Sequence, residues 1–257
     1  MKDIILERTK NYITSIILNR PEKLNALTPA MIINLEQKIE SISDNPEVRV
    51  VIIGGVENAF CSGVDVEGTS YNPLNSRIFL KTFNRVLKTI ETLPQPTIAM
   101  INGTAVSGGL ELALACTFRI AANEAKLGLP EIKLGLVAAG GTTYRLPRLV
   151  GFSKAMEMSL FGDLMNGEEA AACNLVNWAV PGEELVQRTH VIAGRLADNP
   201  PIAMSLVKDS LYSTSVPHIE SASLNEILSA SVNHYSEDKK EGLDAFFAKR
   251  KPRFTGK

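Results

Sequence analysis

In the first half of the chain, stretches with the hydrophobic pattern of a strand alternate with stretches that have the pattern of a helix. Residues 3–9 and 12–18 are rich in β-branched side chains that partly alternate with polar ones, which predicts two paired strands. Further buried strands are predicted at 48–53, 97–101 and 118–122. This order predicts an α/β fold built on a mostly parallel sheet with right-handed crossovers.

Helices are predicted between these strands. The first begins with Thr28 as its N-cap and Pro29 as its first residue. Two more are expected over 78–93 and 109–116, and the stretch before the former, 68–76, is predicted to be a mobile loop. The apolar face of the first helix is formed by Met31, Ile32, Leu35, Ile39 and Ile42.

Beyond Leu146 the pattern becomes mainly helical. One short strand is expected at 176–180. We therefore predict one overall domain, with an α/β core over 1–200 and a helical extension over 201–257 that caps the core or packs on another subunit. The helices are predicted over 153–161, 167–173, 182–198, 201–213 and roughly 219–247.

Composition narrows the class of protein. The 257 residues carry a formal net charge of −1, with a pI near 6.3, which argues against non-specific binding to nucleic acid. The N-terminus does not resemble a signal peptide, and no apolar run reaches the roughly 20 residues that span a bilayer. The sparse cysteines (Cys61, Cys116 and Cys173) fit a reduced cytoplasmic protein, and the three histidines show no metal-ligand spacing. We expect no membrane partner and no metal.

Two glycine-containing turns carry the candidate chemistry. One lies in AFCSGVDV, 59–66, and the other in TIAMINGTAVSGGLE, 97–111. Backbone N–H groups at such turns have no neighbours to pair with and can bind an anion. Glu111 follows the second turn closely, so the pair predicts a pocket that stabilises an oxyanion and moves protons. An ordinary tight turn with a first-turn glutamate explains this stretch about equally well.

Other glycine-rich motifs do not fit. The spacing from Gly103 to Gly108 is that of a P-loop, but Gly109 and Leu110 stand where Lys and Ser or Thr are required. No G-x-G-x-x-G follows a predicted strand, which disfavours a dinucleotide site. No G-x-S-x-G is present, which disfavours a serine hydrolase of the α/β class.

Five segments in order resemble the enoyl-CoA hydratase/isomerase (crotonase) superfamily. They are LNRPEKLNAL, AFCSGVDV, INGTAVSGGLELALAC, AKLGLPEIKLGL with RLPRLVG, and AFFAKRKPRF, and they are distributed across essentially the whole chain. The resemblance implies a crotonase-like (ClpP/crotonase) ββα-superhelix core with a helical C-terminal extension. It also implies an acyl-CoA substrate, no separate cofactor, and assembly as a homotrimer or homohexamer.

The same resemblance implies roles for individual residues. The family's oxyanion hole falls on the backbone N–H groups of Val64 and Gly108, which would bind the thioester oxygen. Its two hydratase glutamates fall on Glu111 and Glu131. Because both are present, the resemblance favours hydration of a 2-enoyl-CoA. The first alternative is an enoyl-CoA isomerase or another acyl-CoA enzyme of this family, and the second is a non-catalytic acyl-CoA-binding protein.

Binding residues are also implied. Coenzyme A would lie along the backbone of AFCSG, with basic side chains near its phosphates; these candidates are Ala59, Cys61, Ser62, Gly63, Arg20, Lys23, Lys249 and Lys251. The expected acyl pocket is formed by Leu129, Pro130, Ala139 and Gly140. Here the sequence departs from the resembled family, because the usual IPGAGGTQRL reads VAAGGTTYRL over 137–146. Its proline and one glycine are lost, so the preferred acyl group does not follow from the resemblance.

Overall fold

The structure, a computed structural model, describes residues 4–8, 11–65, 73–213 and 236–257. Its strands are β1 (Ile4–Arg8), β2 (Ile13–Leu18), β3 (Val50–Gly55), β4 (Ala59–Cys61), β5 (Thr97–Ile101), β6 (Thr104–Val106), β7 (Phe118–Ala122), β8 (Leu127–Gly128), β9 (Leu164–Met165) and β10 (Trp178–Val180). Its helices are α1 (Pro29–Ser43), α2 (Pro73–Thr92), α3 (Gly108–Ala115), α4 (Thr142–Val150), α5 (Phe152–Phe161), α6 (Gly167–Ala172), α7 (Leu185–Ala197), α8 (Pro201–Ser213) and α9 (Glu237–Phe247). Short 3-10 turns lie at Pro21–Lys23, Pro130–Leu134 and Gly182–Glu184.

The larger sheet has six strands in the order β1-β2-β3-β5-β7-β10. β1 and β2 form an antiparallel hairpin, and every later neighbour is parallel. β3 lies inside this sheet and is buried along nearly its whole length, which explains why its sequence is continuously apolar. The predicted mostly parallel sheet is confirmed.

A second sheet of four short strands, in the order β4-β6-β8-β9, is not predicted by the sequence pattern. β4, β6 and β8 are parallel to one another, and β9 closes the edge in the antiparallel direction. Each of these strands has only two or three residues, too few for a hydrophobic period to show.

Helix α1 has the predicted cap and the predicted buried face. Thr28 Oγ1 accepts a hydrogen bond from Met31 N at 3.1 Å, and Pro29 is the first helical residue. The buried side chains are Met31, Ile32, Leu35, Glu36, Ile39 and Ile42. The apolar side chains that recur with the helical period therefore form the face that α1 packs against the core.

Different helices pack on the two sheets. α7 packs on β2, β3, β5 and β7 of the larger sheet, while α3 packs on β4 and β6 of the smaller sheet and against α2. Every residue of α3 is buried. The turn that leads into α3 is therefore held from several sides, and it is part of the candidate site.

Two helices differ from the prediction, and a third is described only in part. α2 begins at Pro73, so the loop expected at 68–76 is wrong for its last four residues, and 68–72 lie outside the described residues. α4 begins at Thr142, where no helix was predicted, because Gly140, Gly141 and Pro147 are typical of turns. Of the helix expected over 219–247, only α9 lies in the described part. The division at residue 200 stays a prediction.

No helix within the described ranges is both long enough and apolar enough to cross a membrane.

Candidate active site

The two glycine-containing turns predicted from the sequence meet in space. β4 leads into Gly63 and Val64, and β6, its parallel neighbour, leads into Ser107 and Gly108. A Cβ atom built on Gly108 would lie 3.4 Å from the Val64 nitrogen. The two backbone N–H groups expected to form the oxyanion hole are therefore close together.

A residue with a positive φ angle precedes each of these two N–H groups. Gly63 has φ 105° and Ser107 has φ 52°. This region is easily reached by glycine but is strained for serine, and such strain is concentrated at functional sites. Among the described residues, neither the Val64 N–H nor the Gly108 N–H donates a hydrogen bond. Both remain available to an external acceptor.

Close packing fixes the start of α3 against β4. A Cβ atom on Gly109 would lie 2.0 Å from the Cys61 carbonyl oxygen, so only glycine allows this approach. A Cβ atom on Gly108 would lie 3.2 Å from Val64 Cγ2. Gly108 and Gly109 thus bring one turn against the other.

The N-terminal loop braces the Val64 turn from the other side. Leu27 N donates to Gly63 O at 2.7 Å, and Asp65 N donates to Leu27 O at 2.9 Å. Arg20 Nη1 lies 2.6 Å from Asp65 Oδ2, and both side chains are largely buried. Arg20, expected to bind a CoA phosphate, is therefore engaged in an internal ion pair next to the Val64 turn.

Glu111 is buried in the first turn of α3, with 4% of its surface exposed. Its Oε1 atom accepts hydrogen bonds from Gly140 N at 2.5 Å and from Thr142 Oγ1 at 2.7 Å. Burial raises the pKa of Glu111 above its ordinary value, although these two donors and the Arg145 charge act in the opposite direction. The carboxyl group is fixed in place and can hold a proton more readily than a surface glutamate.

A buried ion pair holds the segment that contacts Glu111. Arg145 Nη1 donates to Gly140 O at 3.0 Å, and Arg145 Nη2 lies 3.1 Å from Glu91 Oε2. Burial alone would raise the pKa of Glu91, but the Arg145 guanidinium outweighs it and the net pKa is lowered. Gly140 has no room for a side chain, because a Cβ atom there would lie 2.3 Å from Glu111 Oε2.

Glu131 approaches from a different element, the 3-10 turn Pro130–Leu134 that follows β8. Its Oε2 atom is buried and has no hydrogen-bond partner among the described residues. Burial raises the pKa of Glu131, and the Glu111 charge raises it further, while its own backbone N–H and the Ser107 hydroxyl oppose the rise. Glu131 is thus coupled to Glu111 and to the turn that carries the Gly108 N–H.

The other predicted binding residues lie around this cluster. Ala59 and Cys61 are buried in β4, and Ser62 N donates to Leu24 O at 3.0 Å. Burial raises the pKa of the Cys61 thiol to about 12, so this thiol is unreactive at neutral pH. In the predicted acyl pocket, Leu129 is buried, Pro130 starts the 3-10 turn, Gly140 contacts Glu111 and Ala139 is exposed.

The predicted basic residues are less closely tied to the cluster. Lys23 is exposed, and its carbonyl oxygen accepts a hydrogen bond from Ser62 Oγ at 3.2 Å. Lys251 pairs with Asp198 at 2.7 Å, and Lys249 is exposed just after α9. The part of these lysines in CoA binding stays a prediction.

Three residues at the site were not singled out from the sequence. Thr142 contacts Glu111 from 31 positions away, Ser107 carries the positive φ angle, and Asp65 pairs with Arg20. Only Ser107 has a local signal, because it precedes two glycines where a strand turns into a helix. The other two contacts depend on how distant segments pack.

Together these groups can perform acid–base chemistry beside a bound oxyanion. Two backbone N–H groups can stabilise negative charge, and the two carboxyl groups with raised pKa values can take up and release protons. No group of three or more His, Cys, Asp or Glu side chains in the described ranges could hold a metal ion.

Comparisons with known proteins agree with the resemblance seen in the sequence. The family profile described as "Enoyl-CoA hydratase/isomerase" matches residues 8–257. The chain is 35% identical to "Crotonyl-CoA hydratase" of Syntrophomonas wolfei, covering 100% of this chain and 99% of that protein. It is 33% identical to "Short-chain-enoyl-CoA hydratase" of Clostridium acetobutylicum, with 98% and 97% covered.

Solved structures show the same fold. The crystal structure of an enoyl-CoA hydratase from Bacillus anthracis has a TM-score of 0.96 to this chain at 35% identity, and covers 99% of this chain and 100% of that one. An enoyl-CoA hydratase structure from Geobacillus kaustophilus has a TM-score of 0.95 at 33% identity, with 100% and 98% covered. The predicted crotonase-like fold is confirmed.

Proposed function

Since the chain belongs to the enoyl-CoA hydratase/isomerase family, we propose that it is an enoyl-CoA hydratase. It adds water reversibly across the 2,3 double bond of a 2-enoyl-CoA thioester and forms a 3-hydroxyacyl-CoA. The observation that carries this proposal is the position of two carboxyl groups with raised pKa values, Glu111 and Glu131, next to two backbone N–H groups that have no acceptor among the described residues. The names of the two curated relatives support the same reaction.

The thioester oxygen is bound by the N–H groups of Val64 and Gly108. As water attacks C3, electrons of the double bond move toward the carbonyl, and negative charge develops on this oxygen. Two preorganised donors, together with the positive end of α3, stabilise that charge. Removal of one such donor typically costs a hundredfold to a thousandfold in turnover, or roughly 3–4 kcal/mol.

The two carboxyl groups divide the proton transfers. Two hydrogen bonds to Glu111 Oε1 and the nearby Arg145 favour its ionised form, so Glu111 accepts a proton from the attacking water. Glu131 has the Glu111 charge beside it and fewer compensating contacts, so it holds a proton and donates it to C2. Proton transfer from Glu111 to Glu131 then restores the starting state, and the net reaction consumes one water.

The remaining residues bind the substrate. The backbone of Ala59, Cys61, Ser62 and Gly63 contacts the CoA portion, with Lys23, Lys249 and Lys251 as candidates for its phosphates. Leu129, Pro130, Ala139 and Gly140 form one side of the acyl pocket. Arg20 acts indirectly, because its ion pair with Asp65 braces the turn that carries the Val64 N–H. The reaction requires no separate cofactor, because coenzyme A is part of the substrate.

We also propose a short acyl chain, since both curated relatives are named for short substrates. Assembly as a homotrimer or homohexamer remains the expectation from the family resemblance, and a cytoplasmic location remains the expectation from the sparse cysteines. Large exposed apolar side chains on α5, including Phe152 and Phe161 at 73% and 66% exposure, support self-association. Light scattering of the purified protein tests this, and a monomer at micromolar concentration would contradict it.

The test of the reaction is incubation of the purified protein with crotonyl-CoA. We expect loss of the enoyl-thioester absorbance and a product heavier by one water. An isomerase is the alternative, because one carboxyl group such as Glu131 can move a proton along the acyl chain. Conversion of a 3-enoyl-CoA without hydration would establish that alternative. Binding of CoA thioesters without turnover of either substrate would indicate a non-catalytic member of the family.

A further inference from the structure

Thr142 is buried at the first position of α4, with 3% of its surface exposed. Its hydroxyl group donates to Glu111 Oε1 at 2.7 Å. In a buried setting, a threonine hydroxyl usually serves a specific partner, because valine has nearly the same shape without the cost of burying a polar group. The partner here is one of the two carboxyl groups assigned to catalysis.

The position of the Thr142 hydroxyl is fixed by the segment around it. Gly141 adopts φ 87° immediately before α4, and Arg145 in the next turn donates to Gly140 O at 3.0 Å. The Arg145 guanidinium is in turn bound to Glu91 on α2. The hydroxyl is thus attached to a rigid helix start, as a positioning group requires.

Gly140 leaves the space that the Glu111 carboxyl group occupies. A Cβ atom at this position would lie 2.3 Å from Glu111 Oε2 and 2.6 Å from Glu111 Cδ. The carboxyl group therefore occupies space that any other residue would fill. Both donors bind Oε1, and in the described part of the chain Oε2 receives no hydrogen bond, so Oε2 is available to water.

We propose that Thr142 is a positioning residue, whose hydroxyl group holds the Glu111 carboxylate with Oε2 directed at the attacking water and favours its ionised form. Gly140 makes this arrangement possible by leaving room for the carboxylate. The inference rests on the proposed hydratase function, in which Glu111 is the base. It assigns a role to the segment 137–146, where the sequence departs most from the resembled family.

A substitution at Thr142 removes none of the ionisable groups around Glu111. They are Glu131 on the 3-10 turn and Arg145 on α4, the latter paired with Glu91 on α2. A change in pH dependence in a Thr142 variant therefore reports the lost hydroxyl. Because Glu111 and Glu131 interact, the profile belongs to the pair, and its acid limb reports ionisation of the base.

The test compares Thr142→Val with Thr142→Ser, using crotonyl-CoA hydration as the assay. Loss of the hydroxyl removes a donor to the ionised carboxylate, so we expect kcat to fall about tenfold. The acid limb of the kcat/KM profile should move up by about one pH unit. Thr142→Ser retains the donor and should keep both values near those of the wild type. Affinity for butyryl-CoA, the saturated analogue, should not change in either variant.

A double-mutant cycle with Gly140→Ala sharpens the test. This substitution displaces the carboxylate from its place beside Thr142, so adding Thr142→Val should cause little further loss. Additive losses would contradict the inference, as would a Thr142→Val profile identical to that of the wild type. Absence of hydration by the wild-type protein would instead reject the proposed function itself. Circular dichroism establishes that each variant is folded, and butyryl-CoA binding serves as a second control for the two Thr142 variants.

Discussion

The two carboxyl groups of the candidate site are supported in different ways. Glu111 lies on a fully buried helix, and its Oε1 atom accepts two hydrogen bonds. Glu131 lies on a five-residue 3-10 turn, and its Oε2 atom is buried without a partner among the described residues. Burial raises both pKa values and hydrogen bonds oppose the rise at both groups, but the Arg145 guanidinium opposes it further at Glu111, whereas the Glu111 charge adds to it at Glu131.

This difference indicates how two identical side chains could take opposite roles. A hydrogen-bonded carboxyl group near a guanidinium is favoured as an anion, whereas a buried carboxyl group next to that anion is favoured as an acid. The assignment of Glu111 as base and Glu131 as acid therefore depends on their surroundings. Substitutions at Glu111, at Glu131 or in their surroundings should therefore change turnover and stability by different amounts.

Substitution of the base should have the largest effect. We expect Glu111→Gln to lower kcat for crotonyl-CoA about a thousandfold, because no other described group is fixed to accept the water proton. Glutamine keeps the size of the side chain and an oxygen for the two donors, so the affinity for butyryl-CoA should remain close to that of the wild type. Steady-state kinetics and calorimetry measure both quantities. Turnover similar to that of the wild type would remove Glu111 from the mechanism.

Removal of the guanidinium behind Glu111 should strongly lower stability. Arg145→Leu leaves Glu91 buried without its main partner, and only 3% and 6% of these two side chains are exposed. We expect the free energy of unfolding to fall by about 3 kcal/mol, as is typical when one partner of a buried pair is removed. Urea unfolding measures this loss.

A surface ion pair provides the control for that prediction. Lys154 and Glu157 lie 2.6 Å apart on α5, with 33% and 55% of their side chains exposed. Lys154→Met should change the free energy of unfolding by less than about 0.5 kcal/mol. Equal losses in the two variants would show that Arg145 is no more important than a surface cation.

Substitution of Glu131, the proposed acid, should lower turnover less than Glu111→Gln does. It should raise stability at neutral pH, whereas Arg145→Leu lowers it. We expect Glu131→Gln to lower kcat about a hundredfold. The pKa of Glu131 is raised on folding, so the folded chain binds its proton more tightly than the unfolded chain does. Stability therefore falls as the pH rises from the ordinary glutamate pKa through the folded one, and the loss is complete above both.

Glutamine does not ionise, so Glu131→Gln avoids this loss. At neutral pH the variant should be more stable than the wild type, and the difference should disappear below the ordinary pKa of glutamate, at about pH 4. Unfolding experiments at both pH values measure the difference. A variant that is less stable than the wild type at neutral pH would show that the Glu131 anion is stabilised by folding.

The smallest effect is expected at Ser107, which links the turn that carries the Gly108 N–H to Glu131. Ser107→Gly removes the hydroxyl and relieves the strain of a φ angle of 52°, while Ser107→Ala removes only the hydroxyl. The glycine variant should be more stable than the alanine variant by about 1 kcal/mol. Both should shift the pH profile of hydration in the same way. Equal stabilities would show that the turn is not strained.

Much of the fold could be predicted from the sequence, because its long elements have clear periods. β5 and β7 match their predicted ranges at both ends, as does α8. The smaller sheet could not be predicted, since strands of two or three residues carry no period. α4 could not be predicted either, because its glycines and Pro147 are typical of turns.

The candidate site was only partly predictable. Two glycine turns and a nearby glutamate could be read locally, and the family resemblance added Glu131. The contact between Thr142 and Glu111 joins residues 31 positions apart, and no local pattern indicates it. The pairing of Arg20 with Asp65 likewise depends on the N-terminal loop packing against the Val64 turn.

The most direct test of the central claim is hydration of crotonyl-CoA in water labelled with heavy oxygen. The wild-type protein should form 3-hydroxybutyryl-CoA that carries the label at C3, and label incorporation should be slowed more by Glu111→Gln than by Glu131→Gln. A product with a shifted double bond and no label, or label incorporation at the wild-type rate in both variants, would contradict the account.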